Sequence, residues 1–295
     1  MTEKEYRAHP AISQSFLKQV LKNDFTQPNG TNVGLMVDNM LYNGSLDSFF
    51  IGDKIPKAYL KAFQKAPQND FDAILKEVRL EEYYNNWKDE KHLEKIKDLY
   101  PLYLMSNGLI IVTKEEHDLA MESIAIIQSD PIWLNKGISG EYQKPLFGKV
   151  YTKYGEVEIK GLLDELHQDW NWIVKDLKVT DCKLSDWQKL VAKPLMYPFQ
   201  AAFYTELVKQ NYGVTDVEFQ WLVYSTVDKK MACFIASSYD LGIGEFGNSY
   251  VKGWREALEI YAEGRHKGDY FIDFVRGNGV IKTTIYGSDN SAKWD

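Results

Sequence analysis

The chain has 295 residues, 44% hydrophobic and 14% aromatic, enough apolar material for one large domain or two small ones. A formal net charge of −7 argues against broad, non-specific nucleic-acid affinity, although acidic metal ligands and a local basic groove are compatible with an acidic exterior. Two cysteines, Cys182 and Cys233, supply neither a disulfide framework nor zinc spacing. With a charged, polar start at Met1–Pro10 and no membrane-length apolar run, the expectation is a cytoplasmic protein with no membrane partner.

Residues 12–50 are predicted helical, with Ser13 as a cap and Phe16, Leu17 and Val20 on one side. Residues 56–128 read as several helices, with the charge-dense run Glu81–Lys97 as a solvated face. Leu109–Thr113 is a short strand or a loop, and Thr113-Lys-Glu-Glu116 resembles a capping box opening a helix to Gln128. Residues 139–179 form the central sheet, and 185–211 are helical, interrupted at Pro194 and restarted at Pro198. Val217–Val227 and Met231–Ser237 alternate like two strands joined near Asp228. Glu245–Gly264 reads as a final long helix, and 277–295 as a polar, loosely ordered tail. With no repeat or low-complexity linker, one domain of α/β or α+β class is expected over 1–295: a mainly helical part to 135, a core over 136–275, and the tail.

The chemistry concentrates in Lys160–Thr180, KGLLDELHQDWNWIVKDLKVT. Glu158–Leu166 and Asn171–Val179 each read as a strand, and Gln168–Asn171 as the reversal between them. Closing the hairpin near Trp170 sets Asp164 opposite Asp176, with side chains about 5 Å apart. Two half-buried like charges repel, and a hard divalent cation between them removes the cost. Lys178 shares a face with Asp176, where an ammonium can hold a water nucleophile. Glu165 and Lys175 are expected on the solvent face, and His167 in the turn. On the following helix, Gln200 and Tyr204 lie one turn apart, with Phe203 and Leu207 on a separate apolar ridge. Lys18, Lys22, Lys189 and Lys193 are candidate groove cations, read more readily as solvated helix faces. The five histidines are scattered, and no Walker or dinucleotide glycine pattern occurs.

Gly161-Leu-Leu-Asp164, Asp176-Leu-Lys178 and Gln200-x-x-x-Tyr204 together resemble the PD-(D/E)XK nuclease superfamily, in the branch of the RecB nuclease domain, the RecE exonuclease (exodeoxyribonuclease VIII) and phage exonucleases. Ile12–Leu17 followed by Phe25 is similar to that branch's opening helix, and Gly34–Asp38 to its next helical motif. The resemblance implies a restriction-endonuclease-like central mixed sheet flanked by helices, with Asp164, Asp176 and the Leu177 carbonyl as ligands of Mg²⁺ or Mn²⁺. It implies that Lys178 orients the attacking water, that Glu141 is an additional ligand, and that Gln200, Tyr204, Ser13 and Ser15 meet the substrate. Two positions depart from the pattern: Asp38 stands where His is usual, as a further metal ligand, and Val179 where Thr is frequent. The cysteine count separates the chain from relatives with a four-cysteine iron–sulfur cluster.

The expected activity is therefore a Mg²⁺-dependent exonuclease on duplex DNA ends. The resemblance further implies phage or prophage recombination in the host cytoplasm, beside a single-strand annealing protein, in a homo-oligomer. The rival readings are a single-strand or internally cutting nuclease of the same fold, a non-catalytic binding module, and an unrelated α/β protein.

Overall fold

The computed structural model describes residues 3–22, 31–51, 109–135, 140–192, 196–267, 271–277 and 280–286. Most of the helices expected over 56–108, the run Glu81–Lys97, and Phe25, Lys193 and Pro194 lie outside these residues. The chain divides into two compact units, one of Met1–Asn29 with Ile126–Trp294, the other of Gly30–Ala125 with Asp295.

In the first unit, helix α1 (Glu3–Ala8) precedes strand β1 (Ile12–Ser13) and helix α2 (Gln14–Lys22). Ser13 accepts from the Phe16 N–H and so caps α2, as its residue type predicts. In the second unit, α3 (Asn32–Asp38) is capped by Thr31 and runs into a π-helical turn over Asn39–Asn43. There β2 (Phe49–Ile51) pairs in parallel with β3 (Ile110–Val112). The start of α4 (Lys114–Ser129) is a capping box: Glu116 N–H donates to Thr113 Oγ1 and Thr113 N–H to the Glu116 carboxylate. Asn32 Nδ2 donates to the same carboxylate and ties α3 to α4.

The rest of the first unit is a six-stranded mixed sheet covered by helices. After α5 (Pro131–Leu134) come β4 (Glu141–Thr152), β5 (Gly155–Gln168) and β6 (Trp172–Thr180). Helix α6 (Tyr197–Tyr212) then crosses back to β7 (Val217–Ser225), which is parallel to β6, and β8 (Lys230–Ile235) closes the edge antiparallel to β7. A helix between parallel strands is the crossover such pairing requires. Helices α7 (Ser238–Phe246) and α8 (Trp254–Lys267) follow, then the antiparallel pair β9 (Phe271–Gly277) and β10 (Val280–Tyr286). Phe203, Leu207 and Val208 of α6 join Ile159, Leu163, Leu166 and Val174 of the sheet, and Leu258 of α8, in one core.

Strand β5 is the organising element. One edge pairs along its length with β4. The other edge pairs with β1 only at Ile159 and Lys160, and with β6 only from Glu165 to Gln168. Residues 161–164 therefore border a fork between β1 and β6. The β4–β5 ladder runs through Tyr142–Glu165 and Lys144–Leu163 but skips Gln143 and Asp164. Gln143 has a left-handed φ of 47°, which breaks the pleat. Burial changes parity at this point: Ile159 and Leu163 enter the core from odd positions, Leu166 from an even one. The distortion thus falls on the first candidate carboxylate.

Several expectations are corrected. The helix predicted over Glu245–Gly264 is two helices, α7 and α8, because Gly247 takes a φ of 79° and ends the first. The region 12–50 also contains β1 and the start of β2, and 280–286 of the expected loose tail form β10. Glu165 and Lys175 are not solvent-facing but buried on the sheet's other face. They pair directly across β5 and β6, and Glu165 also binds His167 Nε2 at 2.8 Å, so the charges are compensated. His167 is accordingly a buried strand residue, not a turn residue.

Candidate active site

The register between β5 and β6 sums to the pairing the sequence predicts. Its last rung is Glu165–Lys175, and the next position along sets Asp164 against Asp176 at the mouth of the fork. There the strands part, and the ladder bond is replaced by a side chain: Asp164 Oδ2 accepts from the Leu177 N–H at 3.1 Å. Asp176 is 2% exposed. Its Oδ1 accepts from Gln200 Nε2 at 2.9 Å, so α6 reaches the site. Its Oδ2 lies 2.5 Å from Lys178 Nζ, an ionic contact, yet has no hydrogen-bond partner of good geometry. Burial pulls the Lys178 ammonium down, but Asp176 and Asp164 outweigh it and hold the group above the ordinary lysine range.

Helix α6 sits close because β5 has no side chain beneath it. A Cβ on Gly161 would lie 2.6 Å from Leu207 Cδ1 and 3.0 Å from the Tyr204 ring. Tyr204 is buried, and its hydroxyl titrates above the usual range because of burial first and then neighbouring Tyr6, Asp176 and Asp164. Lys160, next to Gly161, donates to the carbonyls of Tyr6, Arg7 and His9 and so fastens the end of α1 to β5.

Asp164, Asp176, Lys178, Gln200 and Tyr204 therefore come together. The remaining candidates make contacts of their own. Glu141 starts β4 opposite Leu166, half-exposed and ion-paired with Lys144. Ser13 and Ser15 bond each other at 2.9 Å at the start of α2. Asp38 ends α3 in the second unit. Among the described residues no three His, Cys, Asp or Glu side chains converge as a ready metal cage.

Two further residues adjoin the site: Tyr197, which the sequence does not mark, and Lys18, one of its candidate groove cations. Lys178 Nζ lies 5.3 Å from the centroid of the Tyr197 ring, and Lys18 Nζ lies 5.8 Å from the same ring and 5.9 Å from Phe199. One aromatic ring thus adjoins two ammonium groups. Lys18 is lowered to about 7 by burial, with Lys178 as the next cause and Asp176 acting against it. The sequence marks Lys18 as a candidate groove cation on α2 but does not reveal what α2 packs against.

A divalent cation fits this donor set. Asp176 Oδ2 is a buried anionic acceptor lacking a hydrogen bond, opposite a second carboxylate, and hard oxygen ligands suit such an ion.

The sequence matches the family model described as a PDDEXK-like domain of unknown function (DUF3799) over residues 26–237. The chain belongs to this family. Membership places this PDDEXK-like chain in the PD-(D/E)XK nuclease superfamily, with the mixed sheet and flanking helices of that fold, and superfamily members generally use divalent metals. No curated protein matches the sequence. Among solved structures, the chain is similar to a Eubacterium rectale protein provisionally named an exonuclease, at 16% identity over 99% of this chain and 96% of that one, TM-score 0.45. It is also similar to the protein SSO0001, at 13% identity over 67% of this chain and 84% of that one, TM-score 0.29. Among the described residues, no helix of this PDDEXK-like chain is long and apolar enough to cross a membrane.

Proposed function

We propose that the protein is a Mg²⁺- or Mn²⁺-dependent exonuclease acting on duplex DNA ends. The observation that carries this reading is the fork: two carboxylates opposed across β5 and β6, one of them buried with an oxygen that lies against Lys178 and has no well-formed hydrogen bond among the described residues. Asp164, Asp176 and the Leu177 carbonyl hold the metal, whose chemistry is to polarise the scissile phosphate and stabilise the leaving oxygen. Lys178 holds and orients the attacking water. Gln200 fixes the rotamer of Asp176 through its 2.9 Å bond, and Tyr204 supports the wall behind them. Lys18 adds a second cation for phosphate charge. Glu141 is assigned as an additional metal ligand and Ser13 and Ser15 as substrate contacts, while the assignment of Asp38 as a ligand rests on the motif resemblance alone.

Both compact units are read as parts of one nuclease domain, because the family match runs across them. The kinship with RecB and RecE, the phage-type recombination role, the annealing-protein partner, the homo-oligomer and the cytoplasmic setting rest on the motif resemblance. The test is digestion of end-labelled linear duplex beside a covalently closed circle, with Mg²⁺ or Mn²⁺. Loss of the linear substrate alone, abolished by Lys178→Ala, supports the reading. Cutting of the circle supports an internally acting enzyme instead, and no cutting of either supports a binding module.

A further inference from the structure

Helix α6 opens on Tyr197, the ring shared by the two lysines of the site. Met196, just before it, takes a left-handed φ of 55°, sparsely populated for a residue with a Cβ, and its side chain makes no capping bond. Pro198 follows within the first turn and fixes the direction of the chain. The Tyr197 ring is partly buried against the core, with Trp187 at 5.7 Å. A left-handed, uncapped entry that delivers an aromatic ring to a charged site points to a use for the ring there.

Lys178 Nζ lies over this ring at 5.3 Å from its centroid and Lys18 Nζ at 5.8 Å, both within the roughly 6 Å over which a cation is drawn to a π-face. The two ammonium groups repel: after burial, Lys178 is the next cause that lowers Lys18. A ring face carries partial negative charge without being an acid, so it steadies both cations and neutralises neither. Lys178 gains most from this. Its ionic contact is with Asp176 Oδ2, the same oxygen assigned to the metal. That oxygen cannot serve both fully, whereas the ring is a contact of Lys178 that draws on no carboxylate. An aliphatic side chain at position 197 has no such face.

We infer that Tyr197 is a positioning residue of the nuclease site, whose ring holds the ammonium groups of Lys178 and Lys18 in place for the scissile phosphate. It acts through the lysines and on no reacting atom. The ring keeps Lys178 aimed at the attacking water, and it offsets the repulsion from Lys18 that would push Lys178 aside. The inference rests on the nuclease reading.

The test replaces Tyr197 by phenylalanine and by mono-, di- and trifluorophenylalanine, which keep the ring's shape while draining its negative face, and by leucine, which has none. Steady-state kinetics on linear duplex with Mn²⁺ give kcat and KM. Spectra of ¹³C-lysine-labelled protein in EDTA give the Hε protons of Lys178 and Lys18, assigned by their loss in Lys178→Met and Lys18→Met, and protons above a ring shift to high field. The expected kcat falls stepwise across the fluorinated series, to about tenfold or more below Tyr197→Phe at the trifluoro ring, with KM changed less. The Lys178 protons lie at high field in wild type and Tyr197→Phe and return to their ordinary position in Tyr197→Leu. Those of Lys18 return in part, because Phe199 also lies beneath it at 5.9 Å. Equal kcat across the series, or Lys178 protons at their ordinary position in wild type, overturns the inference. If wild type cuts duplex while the series is flat, only the role of Tyr197 falls. If wild type cuts no linear, circular or single-stranded DNA, the nuclease reading falls and takes that role with it.

Discussion

Replacing Lys178 by methionine keeps most of the stem and deletes the ammonium. Asp176, 2% exposed, then keeps the Gln200 bond but loses its counter-ion at 2.5 Å, with Asp164 opposite. Removing one partner of a buried pair costs about 3–5 kcal/mol. The Lys178 side chain is 19% exposed, which places the loss at the lower end, about 3 kcal/mol. At about 2–4 °C per kcal/mol for a domain of this order, Tm in EDTA falls by about 6–12 °C. Adding Mn²⁺ restores much of the loss, because the cation supplies the missing positive charge, and binding at 100 times Kd contributes about 2.7 kcal/mol. The assay is thermal denaturation of wild type, Lys178→Met and Lys178→Met/Asp164→Asn, each in EDTA and in Mn²⁺. A Tm in EDTA within about 2 °C of wild type refutes the charge argument. An equal Mn²⁺ rise in the variant lacking Asp164 refutes the two-carboxylate argument.

Gly161→Ala places a methyl 3.0 Å from the Tyr204 ring and 2.6 Å from Leu207, so overpacking costs about 1–3 kcal/mol, and denaturant unfolding shows it as a lower midpoint at unchanged slope. Nuclease rate falls with it, since Gln200 lies on the helix that is displaced. Gln200→Leu removes a hydrogen bond to a buried carboxylate, worth about 1.5–3 kcal/mol, and lowers kcat more than it raises KM, which steady-state kinetics on linear duplex separates. Lys18, held down to about 7 by burial, binds fewer protons folded than unfolded between pH 7 and its ordinary 10.5. The cost of burying its charge is full below pH 7 and fades as pH rises through that window. Lys18→Met therefore raises Tm relative to wild type most near pH 6.5, with the gain shrinking toward pH 10. A gain that grows with pH contradicts this sign.

The hairpin was legible because its register follows from period-2 patterning: the reversal at Asp169–Asn171 and the pairing of Glu165 with Lys175 leave Asp164 and Asp176 opposed. The capping box at Thr113, the cap at Ser13 and the restart at Pro198 were legible for the same reason, each being a short-range rule. What failed was non-local. Glu165, Lys175 and His167 look like solvent-face and turn residues until the far side of the sheet is covered and they pair with one another. The break at Gln143, which interrupts the β4–β5 ladder at Asp164, has no residue signature, because glutamine rarely takes a positive φ. Lys18 and the Trp187–Trp221 pair gain their neighbours only when α2 and β7 pack in the folded chain, contacts that no local pattern encodes.

The most direct test of the central claim is a calorimetric titration of Mn²⁺ into wild type and into Asp164→Asn and Asp176→Asn, each confirmed folded by its Tm. The account predicts saturable binding in wild type and its loss, or a weakening of about tenfold or more, in each variant. Unchanged Mn²⁺ binding in both variants would show that the opposed carboxylates of the fork are not the metal site.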